Sequence, residues 1–206
     1  MFRFVSILAA LALAACTATP PPAPISAKQP HSLRVIGLND FHGNLEPLPR
    51  PVRVVEADGS ERRVTAGGAA WLASAVRETR QGARHSLTIA AGDLIGASPL
   101  VSSYFLDEPA IGAMNRIGLD INAVGNHEFD RGWRELKRIQ DGGCEKFTVR
   151  EPCAVENPYP GADFQFLAAN VIMPDGSTLF PAHTIRRFGE GDDSFAVGVI
   201  GLTLKN

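Results

Sequence analysis

The sequence predicts an α/β domain whose sheet is covered on its faces, and three observations support this fold class. From residue 32 onward, short runs rich in β-branched residues alternate with segments that carry apolar residues at helical spacing. A polar loop follows most of these runs. The 206 residues are 45% hydrophobic and 20% charged, which suits one globular domain with a sizeable core. Strands that alternate with helices imply covered sheet faces.

The strands are predicted from short apolar runs bounded by turn residues, beginning with LRVIGL and SLTIAA. In chain order the predicted strands are residues 33–38, 86–91, 121–124, 164–171 and 195–203. Because ligands of such sheets collect beyond the carboxyl ends of strands, we expect the loops after the first three strands to share one site.

The helices are predicted from small and apolar residues at helical spacing. In residues 67–81 the charges gather toward the end, residues 108–118 stop near Gly118, and residues 131–140 form the third helix.

Residues 1–31 are expected to lie outside the domain, which we place at residues 32–206. Arg3 precedes an apolar run over residues 4–15 that is too short to span a bilayer as a helix, so residues 1–15 are predicted to be a signal peptide. Leu13-Ala14-Ala15-Cys16 resembles a bacterial lipobox, in which Cys16 would carry the lipid. The alternative is a plain secretory signal followed by a chance cysteine.

Residues 16–31 predict an extended, Pro-rich tether between the lipid and the domain. The protein is therefore expected in the cell envelope, facing the periplasm or the surface, with the lipid anchor as its contact with the membrane.

Two further cysteines, Cys144 and Cys153, flank a small loop. In an oxidising compartment such a pair favours a structural disulfide. Free thiols remain the alternative, and metal ligation is less favoured because no neighbouring Cys or His has a zinc-like spacing.

The formal net charge of −2 argues against a groove for a nucleic-acid polymer, which normally has a basic excess. An anionic small substrate would need its charge met locally, by a few side chains or by metal ions.

The first two motifs that could bind metal follow strands. Asp40 and His42 form a D-x-H pair; if the extended backbone continued, both side chains would face the same side and could bind one ion. Asp93 follows Gly92, and its two carboxylate oxygens could bridge two ions. Taken singly, the D-x-H pair is a weak signal, since His42 could simply stabilise a turn, and Gly-Asp alone favours an ordinary turn.

The third motif, Gly125-Asn126-His127-Glu128, is the most specific. Asn126 offers a carbonyl oxygen to a metal or its amide to a phosphate, and His127 can donate a proton or hydrogen bond to a phosphoryl oxygen. Asp130 lies three residues beyond His127 and could fix the orientation of the imidazole. We expect Glu128 to be structural or to cap the following helix.

Together these motifs resemble the signature of the calcineurin-like metallophosphoesterases. LNDFHGN, AAGDLIGASPL and AVGNHEFDRG are similar to the blocks of the 5′-nucleotidase branch, and the similarity covers roughly residues 33–206. The resemblance implies a four-layer αββα sandwich, incomplete at its C-terminus in this sequence.

The resemblance also implies roles for individual residues. Asp40 and His42 would bind a first metal ion, Asp93 would bridge, and Asn126 would bind the second. His127 and Asn126 would contact the substrate phosphate, with Asp130 supporting His127. Two divalent ions, Zn, Mn, Fe or Co by their oxygen and imidazole ligands, would clamp the phosphate and activate water.

The sequence departs from the family pattern downstream. The family has an isolated histidine and a G-H-x-H block after these motifs, and no G-H-x-H occurs here. His183 is a poor substitute because it falls in a strand-like segment, and His85 and His31 are expected to be solvated. We therefore expect a truncated enzyme, weak or inactive by itself, whose family would add a C-terminal substrate domain.

The leading functional hypothesis is a metal-dependent 5′-nucleotidase that removes phosphate from nucleotides. One alternative is a phosphodiesterase acting on 2′,3′-cyclic nucleotides or a nucleotide-sugar. The alternative from another class is a non-catalytic envelope lipoprotein that binds phosphate or a partner protein; the oligomeric state is left open.

Overall fold

The computed structural model describes residues 30–204. The predicted signal peptide, Cys16 and all of the predicted tether before Pro30 lie outside the described residues and stay predictions. In the described part of the chain, no helix has the length and apolarity needed to cross a membrane.

A four-stranded parallel sheet forms the centre of the domain. Its order is β1 (Arg34–Leu38), β4 (Ser86–Ala90), β5 (Ile121–Ala123) and β6 (Gln165–Leu167). All three strand pairs are parallel, so their carboxyl ends meet at one edge of the sheet. The predicted α/β class is confirmed. The expected strand 164–171 is shorter than predicted, because Ala168 and Ala169 bond to segments outside the sheet.

Three helices cover one face of this sheet: α1 (Ala69–Arg80), α3 (Glu108–Ile117) and α4 (Trp133–Asp141). Their inward residues, among them Val76, Met114 and Leu136, join the main hydrophobic core. Gly118 ends α3, as predicted, with a φ of 77° that glycine adopts without strain. A one-turn helix, α2 (Leu100–Ser103), was not predicted.

A β-hairpin packs on the opposite face of the sheet. Strands β7 (His183–Phe188) and β8 (Phe195–Ile200) pair antiparallel, and Phe188 and Val199 pack on a second apolar cluster of the parallel sheet. The described residues thus supply an α-β-β arrangement. No helix among residues 30–204 covers the outer side of this hairpin, where Ile185 and Ile200 are 55% and 69% exposed.

A second hairpin, β2 (Val52–Val55) with β3 (Glu61–Val64), was also missed by the sequence analysis. Charged residues interrupt its apolar pattern, and Arg53 pairs with Glu61 across the strands at 2.6 Å. Such a cross-strand pair forms only after the turn has set the register of the two strands. The spacing of apolar residues within each strand therefore does not reveal the hairpin.

Three histidines lie outside the three sequence motifs. His183 follows Ala182, whose carbonyl accepts from the Gly201 N–H, and the Gly201 carbonyl accepts from Ala169 just after β6. His183 is the exposed first residue of β7, and it stays a structural residue in our interpretation.

His31 is exposed, as expected, and its ring stacks against Phe195 with the ring centroids 4.8 Å apart. The expectation is wrong for His85, which is half-buried and meets the Phe195 ring edge-on at a centroid distance of 5.5 Å.

A disulfide joins Cys144 and Cys153, whose Cα atoms are 5.5 Å apart. It closes the loop that follows α4. The backbone N–H of Cys153 donates to Glu108 Oε1 at 2.9 Å, which fastens this loop to the start of α3.

Candidate metal centre

Backbone hydrogen bonds bring together the loops that follow β1 and β4. The N–H of Asp40 donates to the Gly92 carbonyl at 3.1 Å, and the N–H of His42 donates to the Asp93 carbonyl at 2.9 Å. These bonds require a turn rather than an extended chain, and Asp40 and His42 have φ values of 51° and 45°. The extended geometry assumed for the D-x-H pair is therefore wrong, although the two residues remain neighbours.

The loop after β5 packs directly against Asp93. The backbone N–H of His127 donates to Asp93 Oδ1 at 3.0 Å. A side chain at Gly125 would overlap that same oxygen, so only glycine permits this approach of the two loops.

His42, Asp93 and His127 form a cluster of potential metal ligands. One ligand atom from each lies within 4.8 Å of the other two, and all three residues are half-buried. The sequence predicted metal ligation for His42 and Asp93 but assigned His127 to the phosphate, so the presence of its imidazole in this cluster was not expected.

His42 is oriented for ligation through Nε2. Its Nδ1 lies 2.9 Å from the Gly96 carbonyl oxygen. Because a carbonyl oxygen only accepts, Nδ1 carries the proton and the lone pair of Nε2 is left free. Such a bond from the second ring nitrogen is what usually fixes a metal-ligating histidine.

Asp40 lies beside this cluster without joining it. Its Oδ1 is 3.7 Å from His42 Nε2, and its side chain is 59% exposed. Because this oxygen is so close to His42 Nε2, Asp40 could join His42 in holding a metal ion.

His127 is paired with Asp130, as the sequence predicted. Its Nδ1 lies 3.0 and 3.2 Å from the two Asp130 oxygens. The hydrogen bond that His127 donates to the Asp130 carboxylate is the main reason that the pKa of His127 lies above its ordinary value, and burial only partly offsets it. With Nδ1 engaged in this way, Nε2 is the atom available to a ligand or phosphate.

Asn126 begins the 3₁₀ turn over His127–Phe129 and lies between two residues that touch the Asp93 loop. It also lines a cleft of about 550 Å³ with Phe129, Asn170 and Thr203. The cleft lies beyond the carboxyl ends of β5 and β6, and none of His42, Asp93 and His127 lines it.

Glu128 is structural, but it does not cap α4 as the sequence analysis allowed. Its buried carboxylate accepts the backbone N–H groups of Asp93, Leu94 and Gly125 at 2.9, 2.9 and 2.7 Å. Burial raises the pKa of Glu128, and these backbone bonds offset only part of that rise. Glu128 thus joins the loops after β4 and β5, a role that no local sequence signal reveals.

The donor chemistry of this cluster fits divalent metal ions. It combines imidazole nitrogens with carboxylate oxygens, and both remaining described cysteines are held in the disulfide. That set suits Zn, Mn, Fe or Co.

No family model matches the chain. Among curated relatives, an uncharacterised protein in the pqq-V 5′ region of Acinetobacter calcoaceticus is 44% identical over 174 residues, which cover 81% of this chain and 84% of that protein. An endonuclease of Bacillus subtilis is 35% identical over 178 residues, which cover 85% of this chain and 14% of the endonuclease. A "probable 5′-nucleotidase" of Treponema pallidum is 33% identical over 175 residues, which cover 82% of this chain and 25% of that protein.

Solved structures have the same fold. The NAD nucleotidase of Haemophilus influenzae aligns with a TM-score of 0.62 and 24% identity, over 84% of this chain and 26% of the nucleotidase. A calcineurin-like phosphoesterase of Bacillus subtilis aligns with a TM-score of 0.56 and 24% identity, over 83% of this chain and 48% of the phosphoesterase.

This chain belongs to the calcineurin-like metallophosphoesterases, in their 5′-nucleotidase branch. The family predicted from the three sequence blocks is thereby confirmed. The metallophosphoesterase chain spans a quarter or less of the length of the nucleotidase and endonuclease relatives, although it spans most of the Acinetobacter protein. Its relatives place it in a family of phosphoester hydrolases.

Proposed function

We propose that this domain carries the metal-binding half of a 5′-nucleotidase-type phosphatase, which removes phosphate from nucleotides. The observation that carries the proposal is the cluster of His42, Asp93 and His127 within 4.8 Å at the carboxyl edge of the sheet. The similarity to the Treponema pallidum protein supports a nucleotide as the substrate.

In this proposal His42, Asp93, Asp40 and Asn126 hold two divalent ions. Such ions supply Lewis-acid stabilisation for the negative charge that develops on the phosphoryl oxygens during in-line displacement. Asp93 lies between the loops that carry the other ligands, because it bonds to the backbone of both His42 and His127.

His127 acts on the phosphate or on the leaving group. Asp130 holds the proton on Nδ1 and raises the pKa of the imidazole, so the protonated form persists to higher pH and Nε2 can donate a hydrogen bond or a proton. The same pair argues against a purely binding lipoprotein, which would need no general acid next to its metal ions.

A test of this function measures phosphate release from AMP by the full natural protein loaded with Mn²⁺ or Zn²⁺. We expect chelator to abolish turnover and His127→Ala to lower kcat by about 10²–10⁴-fold, the usual range for a general acid. His183→Ala is the matched control, because it removes an exposed histidine outside the cluster. Turnover that survives chelator, or that is equal in the two variants, would contradict the proposal.

A diester substrate is the second candidate, and the similarity to the Bacillus subtilis endonuclease favours it. The same preparation should therefore be offered AMP and a 2′,3′-cyclic nucleotide. Faster hydrolysis of the cyclic diester would assign the domain to the diesterase alternative.

We also propose that the protein is held in the cell envelope by a lipid on Cys16. The support is the lipobox-like sequence before Cys16 and the Pro-rich segment after it.

A further inference from the structure

A buried carboxylate lies behind the candidate metal centre and belongs to none of the motifs. The side chain of Asp107 is fully buried, and its backbone adopts a φ of 65° just before α3. A buried charge of this kind is costly unless several groups compensate it.

Three groups from different segments donate to Asp107. The Ser102 hydroxyl donates to Oδ1 at 2.6 Å, while the Arg131 guanidinium and the Gly96 backbone N–H donate to Oδ2 at 2.6 and 3.3 Å. The Ser102 side chain packs against the loop that carries His42. Its hydroxyl would lie 2.6 Å from a Cβ atom at Gly43, so there is no room for a side chain there. Asp107 therefore connects the loop after β4, helix α2 and the residue that follows Asp130.

Gly96 is the link between Asp107 and the metal ligands. Its N–H bonds to Asp107 while its carbonyl accepts the proton of His42 Nδ1. A side chain at Gly96 would lie 2.7 Å from Asp130 Oδ2 and would overlap the His127 carbonyl, so this residue packs against the His127–Asp130 pair. With no side chain of its own and a φ of 81°, Gly96 depends on these bonds for its orientation.

Arg131 provides the second connection. Its guanidinium bonds to Asp107 and also to the Ser103 carbonyl, at 3.3 Å, so the backbone directly after Asp130 is fixed to α2. Asp130 in turn accepts from the Ala97 N–H at 3.1 Å, next to Gly96.

We propose that Asp107 is a positioning residue of this site: it holds Gly96 so that His42 keeps its proton on Nδ1 and presents Nε2, and it holds Arg131 so that Asp130 stays aligned with His127. The inference rests on the proposed metal site for its functional meaning. The structural part of the inference is which ring nitrogen of His42 carries the proton, and this can be measured without any metal.

The first experiment records long-range ¹H–¹⁵N spectra of the histidine rings in the metal-free chain at about pH 8, well above the ordinary histidine pKa of ~6.5. A His42→Ala variant identifies the His42 signals. We expect the Nδ1-protonated form of His42 in the wild type and a mixture of both neutral forms in Asp107→Asn.

Glu135→Gln is the matched control. Glu135 is an equally buried carboxylate that pairs with Arg138 at 2.6 Å, and its hydrogen bonds do not reach the site loops. It should lower stability while leaving the His42 spectrum unchanged. If Asp107→Asn kept the wild-type His42 form, or if Glu135→Gln changed it equally, the inference would be overturned.

The second experiment titrates Mn²⁺ into the same proteins by calorimetry. Loss of a group that orients a ligand typically weakens metal binding by about 10–100-fold, and we expect this for Asp107→Asn but not for Glu135→Gln. A wild-type chain that bound neither Mn²⁺ nor Zn²⁺ would count against the proposed function, while the His42 spectra would still decide the role of Asp107.

Ser102→Ala serves if Asp107→Asn does not fold. It removes one of the three donors and leaves the carboxylate in place, so we expect a smaller shift of the His42 signals in the same direction. An unchanged spectrum in this variant would overturn the inference.

Discussion

Three residues proposed to bind metal adopt a backbone conformation that non-glycine residues rarely take. Asp40, His42 and Asp93 have φ values of 51°, 45° and 55°. Each such residue costs about 1–3 kcal/mol and persists only where its surroundings hold it. Here the backbone bonds between the β1 and β4 loops hold these residues, so the backbone positions of the proposed ligands are fixed before any ion arrives.

Gly125→Ala tests how closely the site loops must approach. The new methyl group would lie 2.6 Å from the Asp93 nitrogen and overlap its carboxylate, so Asp93 must move. We expect a loss of about 1–3 kcal/mol in the free energy of unfolding, together with weaker Mn²⁺ binding in a calorimetric titration. Gly37→Ala in β1 is the control, since its methyl group would meet nothing within 4 Å. Equal Mn²⁺ affinity in the two variants would contradict this account.

Asp107 also predicts how stability depends on pH. Burial alone would raise the pKa of this carboxyl, but the Ser102 hydroxyl and the Arg131 guanidinium together lower it below the ordinary value of 3.8. A carboxyl whose pKa is lower in the folded state contributes stability that is fully present above the unfolded-state pKa and is lost as pH falls through the folded-state pKa.

We therefore expect the free energy of unfolding, measured by urea titration, to fall as pH drops below about 4. The fall should be shallower in Asp107→Asn than in the wild type, whereas Asp192→Asn, an exposed carboxylate, should follow the wild type. Parallel curves for Asp107→Asn and the wild type would refute this contribution.

At the scale of elements, the site depends on loops that are fastened to one another as well as to the helices that follow them. Glu128 illustrates this, because its carboxylate spans from the β5 loop to the backbone of Asp93 and Leu94. The loop after β5 is therefore held against the Asp93 loop even though β5 has only three residues.

The loop between α4 and β6 should depend on its disulfide. Closing a loop with a sequence separation of 9 residues is worth about 2–3 kcal/mol in the chain-entropy account. The double variant Cys144→Ser/Cys153→Ser should lose that amount in urea unfolding, and reductant should have no further effect on it. A loss well under 1 kcal/mol would show that the packing of this loop, including the Cys153 bond to Glu108, suffices without the disulfide.

At the scale of the whole molecule, the expected membrane attachment depends on the N-terminal sequence alone. In a bacterial host, the wild-type protein should fractionate with membranes and be released only by detergent. Cys16→Ser should appear in the soluble envelope fraction, while Cys144→Ser, which keeps Cys16, should remain with the membranes. A Cys16→Ser protein that stayed in the membrane fraction would contradict the lipid anchor.

The fold was largely predictable because strands and helices of this chain have strong local signals. The runs at 33–38 and 86–91 are almost wholly apolar, a pattern that predicts strands, and Gly118 marks the end of α3. β4 is mostly buried, whereas Val35 of the edge strand β1 is 53% exposed. The β2–β3 hairpin and α2 escaped prediction because their stability comes from cross-strand and tertiary contacts.

The candidate site was predictable in its chemical groups and less so in its geometry. The motifs named His42, Asp93 and His127, which the structure brings together, but they misjudged the backbone at Asp40 and the partners of Glu128. Asp107 had no signal at all, because a buried charge is recognised only through partners that are distant in sequence.

The sequence by itself determined the alternation of strands and helices, the family, and the imidazole, amide and carboxylate groups placed after three strands. The tertiary structure decided which atoms of those groups face one another. Asp40 and His127 are separated by 86 intervening residues, and only hydrogen bonds between loops from different strands bring their surroundings together. Such bonds depend on distance and direction in the folded chain, which residue type and spacing do not specify.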